Sequence, residues 1–243
     1  HAHAVLAQEL LHALDGVAFL VKKMLDAAQH VDIVRPIVAP AAAALQTPAL
    51  AGPVDQDAPH GSGGRREEVA AVLAACSERT IRVIPWGGGT SVTGGVNVLA
   101  GDEPTVTVDL EYMAGLTDLD RRSGLAAFSP GTRGPQVEAT LAEYGLTLGH
   151  FPQSWELATV GGWVATRSSG QESLGYGRIE DMVAGLELVA PDGKLSLPAR
   201  PASAAGPDLR QLVMGSEGRF GVITEVTLRV RSRPEEASVA AAL

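Results

Sequence analysis

The chain has 243 residues, of which 45 % are hydrophobic and 19 % charged, and its formal net charge at pH 7 is −9. This composition is typical of a globular protein, and the acidic balance argues against a nucleic-acid-binding protein, which needs a basic face. The lone Cys76 excludes an intrachain disulfide and a cysteine-based metal site. No stretch reaches the length of a membrane span and no secretory signal is visible, so we expect a cytoplasmic protein.

The first 64 residues carry two different patterns. Apolar residues between positions 5 and 30 recur at steps of three and four, which predicts a helix. Residues 36–64 are rich in proline, alanine and glycine and predict a linker or a loop. We therefore assign residues 1–64 to an N-terminal helical segment and linker, and draw no functional conclusion from them.

From residue 65 the pattern predicts a series of helices and strands. In chain order these are a helix over 66–80, strands over 81–86, 104–111 and 124–131, a helix over 135–145, a strand over 185–193, a helix over 208–218 and a strand over 221–234. The order differs from the repeated βαβ unit of a doubly wound sheet. We expect an α+β fold of two lobes, at about 65–120 and 121–235, with a ligand between them.

The segment PWGGGTSVTGGV, residues 85–96, holds five glycines in twelve positions. It lacks the lysine of a GxxxxGK[ST] loop, and its β-branched residues and glycines oppose the helix that a GxGxxG fingerprint needs. Its consecutive N–H groups could form an anion-binding nest, with the hydroxyls of Thr90 and Ser91 as further donors. A glycine-rich hairpin without a ligand is the alternative.

Two more segments resemble this one in composition. FPQSWELATVGGWVATRSSG, residues 151–170, mixes serine and threonine with glycine, and so does MGSEGRFGVITE, residues 214–225. Hydroxyls and bare N–H groups suit a ligand that carries both phosphate and polar ring edges. Three such loops at strand–helix junctions favour a long cofactor laid across two lobes.

These segments, together with PGTRG, YGRIEDMV and GPDLRQLVMGSEGRFGVITEVTLRV, resemble the FAD-binding domain of the vanillyl-alcohol oxidase/p-cresol methylhydroxylase superfamily. Within it, TVGGWVATRSSG followed by YGRIEDMV is similar to the alkyldihydroxyacetonephosphate synthase branch and its bacterial relatives. The glycolate and D-lactate dehydrogenase branch usually shows an Asn-Ala/Ser-Gly-Gly type of segment where this chain has TRSSG. The resemblance spans residues 66–235.

The resemblance implies noncovalent FAD, because relatives that tether the flavin carry a His or Cys in the corresponding loops. It implies four groups of cofactor-binding residues: Trp86, Gly87, Gly88, Gly89, Thr90, Ser91 and Val92 at the pyrophosphate; Gln153, Ser154, Thr159, Gly161 and Gly162 along the pyrophosphate and ribityl chain; Thr166, Arg167, Ser168 and Ser169 near the flavin; and Glu217, Gly218, Gly221, Val222 and Ile223 near the adenosine.

Some of these side chains have a second interpretation. Arg167 could balance the charge of the flavin or substrate, or pair with a nearby carboxylate. The three tryptophans could stack on the flavin, although packing between the lobes is the commoner role. His150 is interpreted as a packing or hydrogen-bonding residue rather than a flavin tether, and Asp181 as a turn-forming residue.

In the resembled family a separate cap domain follows the FAD domain and supplies most catalytic residues. The resemblance therefore makes residues 236–243 the start of such a cap and leaves the catalytic residues unassigned, with no metal. It implies a small-molecule substrate and exchange of an acyl for an alkyl group on dihydroxyacetone phosphate. The alternatives are an FAD-dependent oxidoreductase of a 2-hydroxy acid or alcohol, and an inactive flavin-binding module that a cap domain or partner chain completes. A homodimer stays open, and a lipid substrate would imply peripheral membrane association.

Overall fold

The computed structural model describes residues 34–35, 62–97, 104–201 and 206–236. The helix predicted over 5–30 and most of the predicted linker lie outside the described residues. The described part contains two main sheets that differ in topology and a separate two-stranded pair, and the chain passes from the first main sheet to the second between residues 110 and 115.

The first lobe consists of a short sheet covered by one long helix. Its elements are β1 (Val34–Arg35), α1 (Ser62–Glu78), β2 (Arg82–Trp86) and β3 (Thr105–Asp109). The strand order is β1-β3-β2, with β2 parallel and β1 antiparallel to β3. Apolar side chains of α1 pack on the strands and form the core of this lobe: Val69, Val72, Leu73 and Cys76 against Ile81, Val106 and Val108. Cys76 is buried, as the sequence predicts, and burial raises the pKa of its thiol.

The second lobe is built on a five-stranded antiparallel sheet of order β4-β5-β9-β7-β8. The strands are β4 (Leu116–Asp120), β5 (Leu125–Phe128), β7 (Val183–Ala190), β8 (Gly193–Leu197) and β9 (Val222–Arg229); β6 (Leu146–Thr147) and β10 (Arg231–Ser232) pair separately. The helices are α2 (Gly134–Ala142), α3 (Val160–Thr166), α4 (Ser173–Tyr176), α5 (Ile179–Met182) and α6 (Arg210–Val213).

The core of the second lobe lies between this sheet and the helices α2, α3 and α5. Its fully buried side chains include Phe128, Val137, Leu141, Trp163, Ile179 and Leu228. Trp163 is the largest of them and comes from α3, which places the glycine-rich residues beside it against the sheet. This packing fixes the segments around α3 as part of the framework.

The two lobes are joined by apolar and by charged contacts. Val189 of β7 and Val222 of β9 belong to the same apolar cluster as the side chains of α1. Arg66 of α1 pairs with Glu187 at 2.8 Å and with Glu225 at 2.7 Å, and all three side chains are about four-fifths buried. The helix of the first lobe is therefore seated on the sheet of the second.

The structure confirms an α+β architecture and also differs from the predicted elements. The strands β1, β4, β6 and β8 and the helices α4 and α5 were not predicted, and the strand predicted over 221–234 is divided into β9 and β10. The helix predicted over 208–218 is limited to Arg210–Val213 because Gly215 and Gly218 follow with positive φ. The helix α3 forms in VGGWVAT, a sequence of poor helix propensity, because it buries Val160, Trp163 and Val164.

Candidate functional site

The first glycine loop, residues 85–96, follows the end of β2. No backbone N–H group from Gly87 to Ser91 has a hydrogen-bond partner among the described residues. These groups belong to half-buried residues, although Val92 just beyond them is fully exposed. Consecutive free N–H groups of this kind can bind an anion, and phosphate is the anion that such loops commonly hold.

The glycines of this loop also have a packing role that the sequence did not suggest. We expected the bare backbone to let a pyrophosphate approach. In the structure, a Cβ at Gly88 would overlap the carbonyl oxygen of Leu157, and a Cβ at Gly87 would overlap the hydroxyl of Thr159. Gly89 has a φ of +67° and faces the ring of Trp86. Gly87 and Gly88 thus make room for the second loop, while the N–H groups of the first loop have no partner in the part of the chain that the structure describes.

The second glycine loop, residues 151–170, uses its polar groups largely within the protein. The carbonyl of Ser154 accepts from the N–H groups of Leu157 at 3.0 Å and Ala158 at 2.8 Å. Thr159 is buried and begins α3, where its hydroxyl accepts from Gly162 N–H at 3.4 Å. Gly161 N–H donates to the Pro130 carbonyl at 2.8 Å. Four of the predicted cofactor residues, Ser154, Thr159, Gly161 and Gly162, are therefore also part of the framework.

Arg167 ends α3 and ties it to the third glycine loop, residues 214–225. Its backbone is left-handed, with a φ of +50°. Its guanidinium donates to the Met214 carbonyl at 2.9 Å and to Gln211, at 2.7 Å to the carbonyl and 2.9 Å to the side-chain oxygen. Neither sequence-based interpretation included this arrangement, since the partners are amide oxygens rather than a carboxylate. Thr166 is exposed and donates its hydroxyl to the Gly162 carbonyl at 2.9 Å.

Two tryptophans of the second glycine loop pack with each other and with the ring of His150, which directly precedes the loop. His150 is fully buried, and its Nε2 lies 2.7 Å from the hydroxyl of Ser168. The centroid of its ring lies 4.9 Å from that of Trp163, in an edge-on arrangement. Trp163 in turn stacks on Trp155 with an interplanar angle of 6°. These two tryptophans have the packing role that is commoner for such residues. The interpretation of His150 as a packing and hydrogen-bonding residue agrees with its enclosure.

The third glycine loop reaches back to the first. Glu217, with a φ of +50°, accepts a hydrogen bond from the Thr93 hydroxyl at 2.9 Å, and Thr93 in turn lies 2.9 Å from the hydroxyl of Ser91. A Cβ at Gly218 would lie 3.0 Å from Pro85. Thr93 was not among the predicted residues, and its position two residues after Ser91 in the same loop is the signal that could have identified it.

The three glycine loops therefore meet, but their predicted residues face different surroundings. Gly221 lies against the Val189 carbonyl, and the side chains of Val222 and Ile223 are buried in the core, so only backbone atoms of these residues could reach a ligand. Gln153 and Ser169 are exposed and have no hydrogen-bond partner among the described residues. Asp181 accepts from Arg178 N–H at 2.9 Å and starts α5, the turn-forming role that its position suggested.

A shallow cleft of about 440 Å³ opens beside the first and third loops. It lies between the end of α1, β2 and residues 218–222, with Pro85 and Gly218 at its edge. In the part of the chain that the structure describes, no group of three or more His, Cys, Asp or Glu side chains is arranged to hold a metal ion. None of the described helices combines the length and apolar character of a bilayer span.

Residues 64–196 match the protein family described as an FAD binding domain. The chain belongs to this family. FAD is accordingly its cofactor, and the resemblance read from the sequence is confirmed. The free N–H groups of the first glycine loop fit the pyrophosphate of FAD, since they are donors that no other described group satisfies.

The chain is similar to a synthase, to a dehydrogenase and to an oxidoreductase that is described as uncharacterized. The chain is 37 % identical over 169 residues to alkyldihydroxyacetonephosphate synthase of Dictyostelium discoideum, covering 70 % of this chain and 28 % of that protein. It is 40 % identical over 168 residues to an uncharacterized FAD-linked oxidoreductase of Escherichia coli (strain K12), covering 69 % and 34 %. The mitochondrial D-lactate dehydrogenase [cytochrome] of Arabidopsis thaliana is 37 % identical over 176 residues, covering 72 % and 30 %.

A solved structure of alkyldihydroxyacetonephosphate synthase superimposes with a TM-score of 0.67 at 36 % identity, over 73 % of this chain and 31 % of that one. The chain thus spans about a third or less of the length of these relatives. It is the FAD-binding domain of a flavoenzyme related both to this synthase and to lactate- and glycolate-type oxidoreductases.

Proposed function

We propose that the flavoenzyme to which this domain belongs exchanges the acyl group of an acylated dihydroxyacetone phosphate for the alkyl group of a fatty alcohol. The observation that carries this proposal is the superposition on alkyldihydroxyacetonephosphate synthase at 36 % identity over 73 % of the chain. The similarity to synthases from three organisms, at 35–37 % identity, supports the same proposal. The segment TRSSG, residues 166–170, adds the resemblance noted in the sequence.

In this proposal the three loops divide the cofactor between them. The N–H groups of Gly87 to Ser91 hold the pyrophosphate, residues 166–169 lie at the flavin, and the backbone at Glu217, Gly218 and Gly221 lies near the adenosine. When bound, FAD supplies the reactive flavin ring, and the domain supplies its orientation. Arg167 orients the site indirectly, because its guanidinium is engaged with Met214 and Gln211 of the segment that leads into the third loop.

The flavin is held without a covalent bond in this account. His150 is the histidine that lies next to the second glycine loop, and it is fully buried with its Nε2 on Ser168. The first glycine loop contains no histidine or cysteine. Release of all flavin into the supernatant after acid precipitation is the expected result, and flavin retained in the pellet would contradict it.

The residues that bind the substrate lie in a further domain or in a partner chain. The support for this proposal is the limited share of the synthases and oxidoreductases, 28–36 %, that the chain covers. The substrate half of the enzyme would then meet this domain at the flavin end.

A second reaction is supported by a different set of relatives. The identity to D-lactate dehydrogenase, 37 %, equals that to the Dictyostelium synthase, and the FAD-linked oxidoreductase of Escherichia coli reaches 40 %. The second candidate is therefore oxidation of a 2-hydroxy acid or alcohol, with hydride transfer to FAD.

The two reactions are separated by assaying the complete FAD-loaded polypeptide with both kinds of substrate. A labelled fatty alcohol with acylated dihydroxyacetone phosphate should give a labelled ether product and free fatty acid, without reduction of an electron acceptor. Bleaching of the flavin absorbance by D-lactate or glycolate, with no ether product, would contradict the first reaction and support the second. Omission of the acyl substrate is the control for nonspecific labelling.

A further inference from the structure

His150 is fully buried and directly precedes the second glycine loop. Its Nε2 lies 2.7 Å from the Ser168 hydroxyl oxygen, whereas its Nδ1 is buried and has no hydrogen-bond partner among the described residues. Burial lowers the pKa of His150 to about 4, so the ring is neutral near pH 7 and carries a single N–H. Which nitrogen carries that proton decides what the Ser168 hydroxyl can do.

The neighbouring Trp163 helps to assign the proton. Its indole N–H is also buried without a partner among the described residues, and an indole can only donate. With the proton on Nδ1, the two contacting rings would bury two unpaired donors. With the proton on Nε2, they bury one unpaired donor and one unpaired acceptor. Because unpaired buried N–H groups are the rarer and costlier case, the proton belongs on Nε2.

The backbone of Ser168 is held on both sides. Its N–H donates to the Trp163 carbonyl at 3.0 Å, and its carbonyl accepts from Ile179 N–H at 3.3 Å. The hydroxyl oxygen of Ser168 then accepts a hydrogen bond from His150 Nε2–H, while its own hydrogen has no acceptor among the described residues. Because its oxygen is engaged with His150, the Ser168 hydroxyl can donate its hydrogen to a ligand atom.

We propose that His150 is a positioning residue: it donates from Nε2 to the Ser168 oxygen, so that the Ser168 hydroxyl hydrogen is presented to an acceptor atom of bound FAD. The inference rests on the proposed placement of residues 166–169 beside the flavin. It adds a residue outside the predicted cofactor set and gives Ser168 the role of donor.

The test measures FAD affinity and the visible spectrum of bound FAD in variants of the whole chain. Ser168→Ala and His150→Leu should each weaken FAD binding about tenfold, and the double variant should be no weaker than about tenfold as well, since the two residues act as one unit. His150→Gln, whose amide can donate from a similar position, should restore the affinity to within about threefold. The control is Ser196→Ala on the edge strand β8, whose hydroxyl contacts Glu187 and lies far from the loops in the chain.

Affinities of Ser168→Ala and His150→Leu equal to that of Ser196→Ala would overturn the proposal, and would leave FAD binding and the proposed reaction intact. Conversely, the variants could show the expected tenfold losses of FAD affinity while the complete FAD-loaded wild type makes no ether product. That result would contradict the proposed reaction alone. If His150→Leu does not fold, nitrogen-15 spectroscopy of the FAD-loaded wild type decides the point. A protonated Nε2 and a bare Nδ1 are expected, and a proton on Nδ1 would overturn the assignment.

Discussion

In the first glycine loop the N–H groups of Gly87 to Ser91 have no partner among the described residues, whereas in the second the N–H groups of Gly161 and Trp163 donate to carbonyls at 2.8 Å. Both loops are rich in glycine and hydroxyl residues, and composition alone treats them alike. The difference supports the proposal that the first loop binds an anion, whereas the backbone of the second loop is used by hydrogen bonds within the fold. It is the reason why we propose the first loop as the phosphate site.

The largest expected effect is a loss of stability at low pH, which tests whether His150 and the second loop beside it are closed to protons in the folded state. Because burial lowers the pKa of His150 from 6.5 to about 4, the unfolded chain binds a proton in this window that the folded chain does not. Stability should therefore fall as the pH is lowered from 6.5 to about 4, by on the order of 3 kcal/mol from this group. Urea unfolding at fixed FAD concentration and several pH values measures it.

The matched variant for this prediction is His150→Gln, which does not titrate. The difference in unfolding free energy between wild type and variant should change over the same pH window and become constant above it. A constant difference throughout the window would mean that His150 is accessible to protons in the folded state, and that the second loop is looser than the structure shows.

The next effect tests the contact between the two loops. A Cβ at Gly88 would overlap the Leu157 carbonyl oxygen, so Gly88→Ala should lower the free energy of unfolding by about 2 kcal/mol. Gly175→Ala is the control, because nothing lies within 4 Å of a Cβ there and its φ is not left-handed. If the two variants have the same melting temperature, the contact at Gly88 does not contribute to stability, and the glycine is needed only for ligand binding. A bulky residue at Gly88 consequently cannot test FAD binding without disturbing the fold.

A smaller effect concerns Arg167, whose role the sequence left open. Arg167→Met keeps the aliphatic stem and removes the hydrogen bonds to Met214 and Gln211, and should cost about 1–2 kcal/mol of stability. Arg122→Met is the control, since the Arg122 guanidinium has no hydrogen bond among the described residues. If Arg167→Met is as stable as the control but binds FAD far more weakly, Arg167 belongs to the cofactor rather than to the framework.

The smallest expected effect concerns the link between the first and third loops. Thr93→Val removes the hydroxyl that donates to Glu217, an exposed pair, and should lower stability by about 0.5–1 kcal/mol. Thr93→Ser keeps the hydroxyl and should resemble the wild type. An effect of the same size in both variants would assign the loss to packing of the threonine methyl group rather than to the link.

The sequence predicted most of the fold because the main strands and α1 have strong local patterns. It failed where tertiary contacts override local preference. The glycines and β-branched residues of VGGWVAT oppose a helix, yet α3 forms because Trp163 and Val164 are buried. The loop–loop contacts could not be predicted either, since Gly88 and Leu157 are distant in the chain and meet only in the tertiary structure. The three glycine loops themselves were predictable from composition and from family resemblance.

Amide hydrogen exchange with and without FAD tests directly whether the first glycine loop binds the cofactor, since its N–H groups have no partner among the described residues. Gly87 to Ser91 should exchange rapidly in the FAD-free protein and become protected when FAD is added. Gly161 and Trp163, whose N–H groups donate within the fold, should be protected in both states. Unchanged exchange of Gly87 to Ser91 on saturation with FAD would contradict the assignment of the phosphate site to this loop.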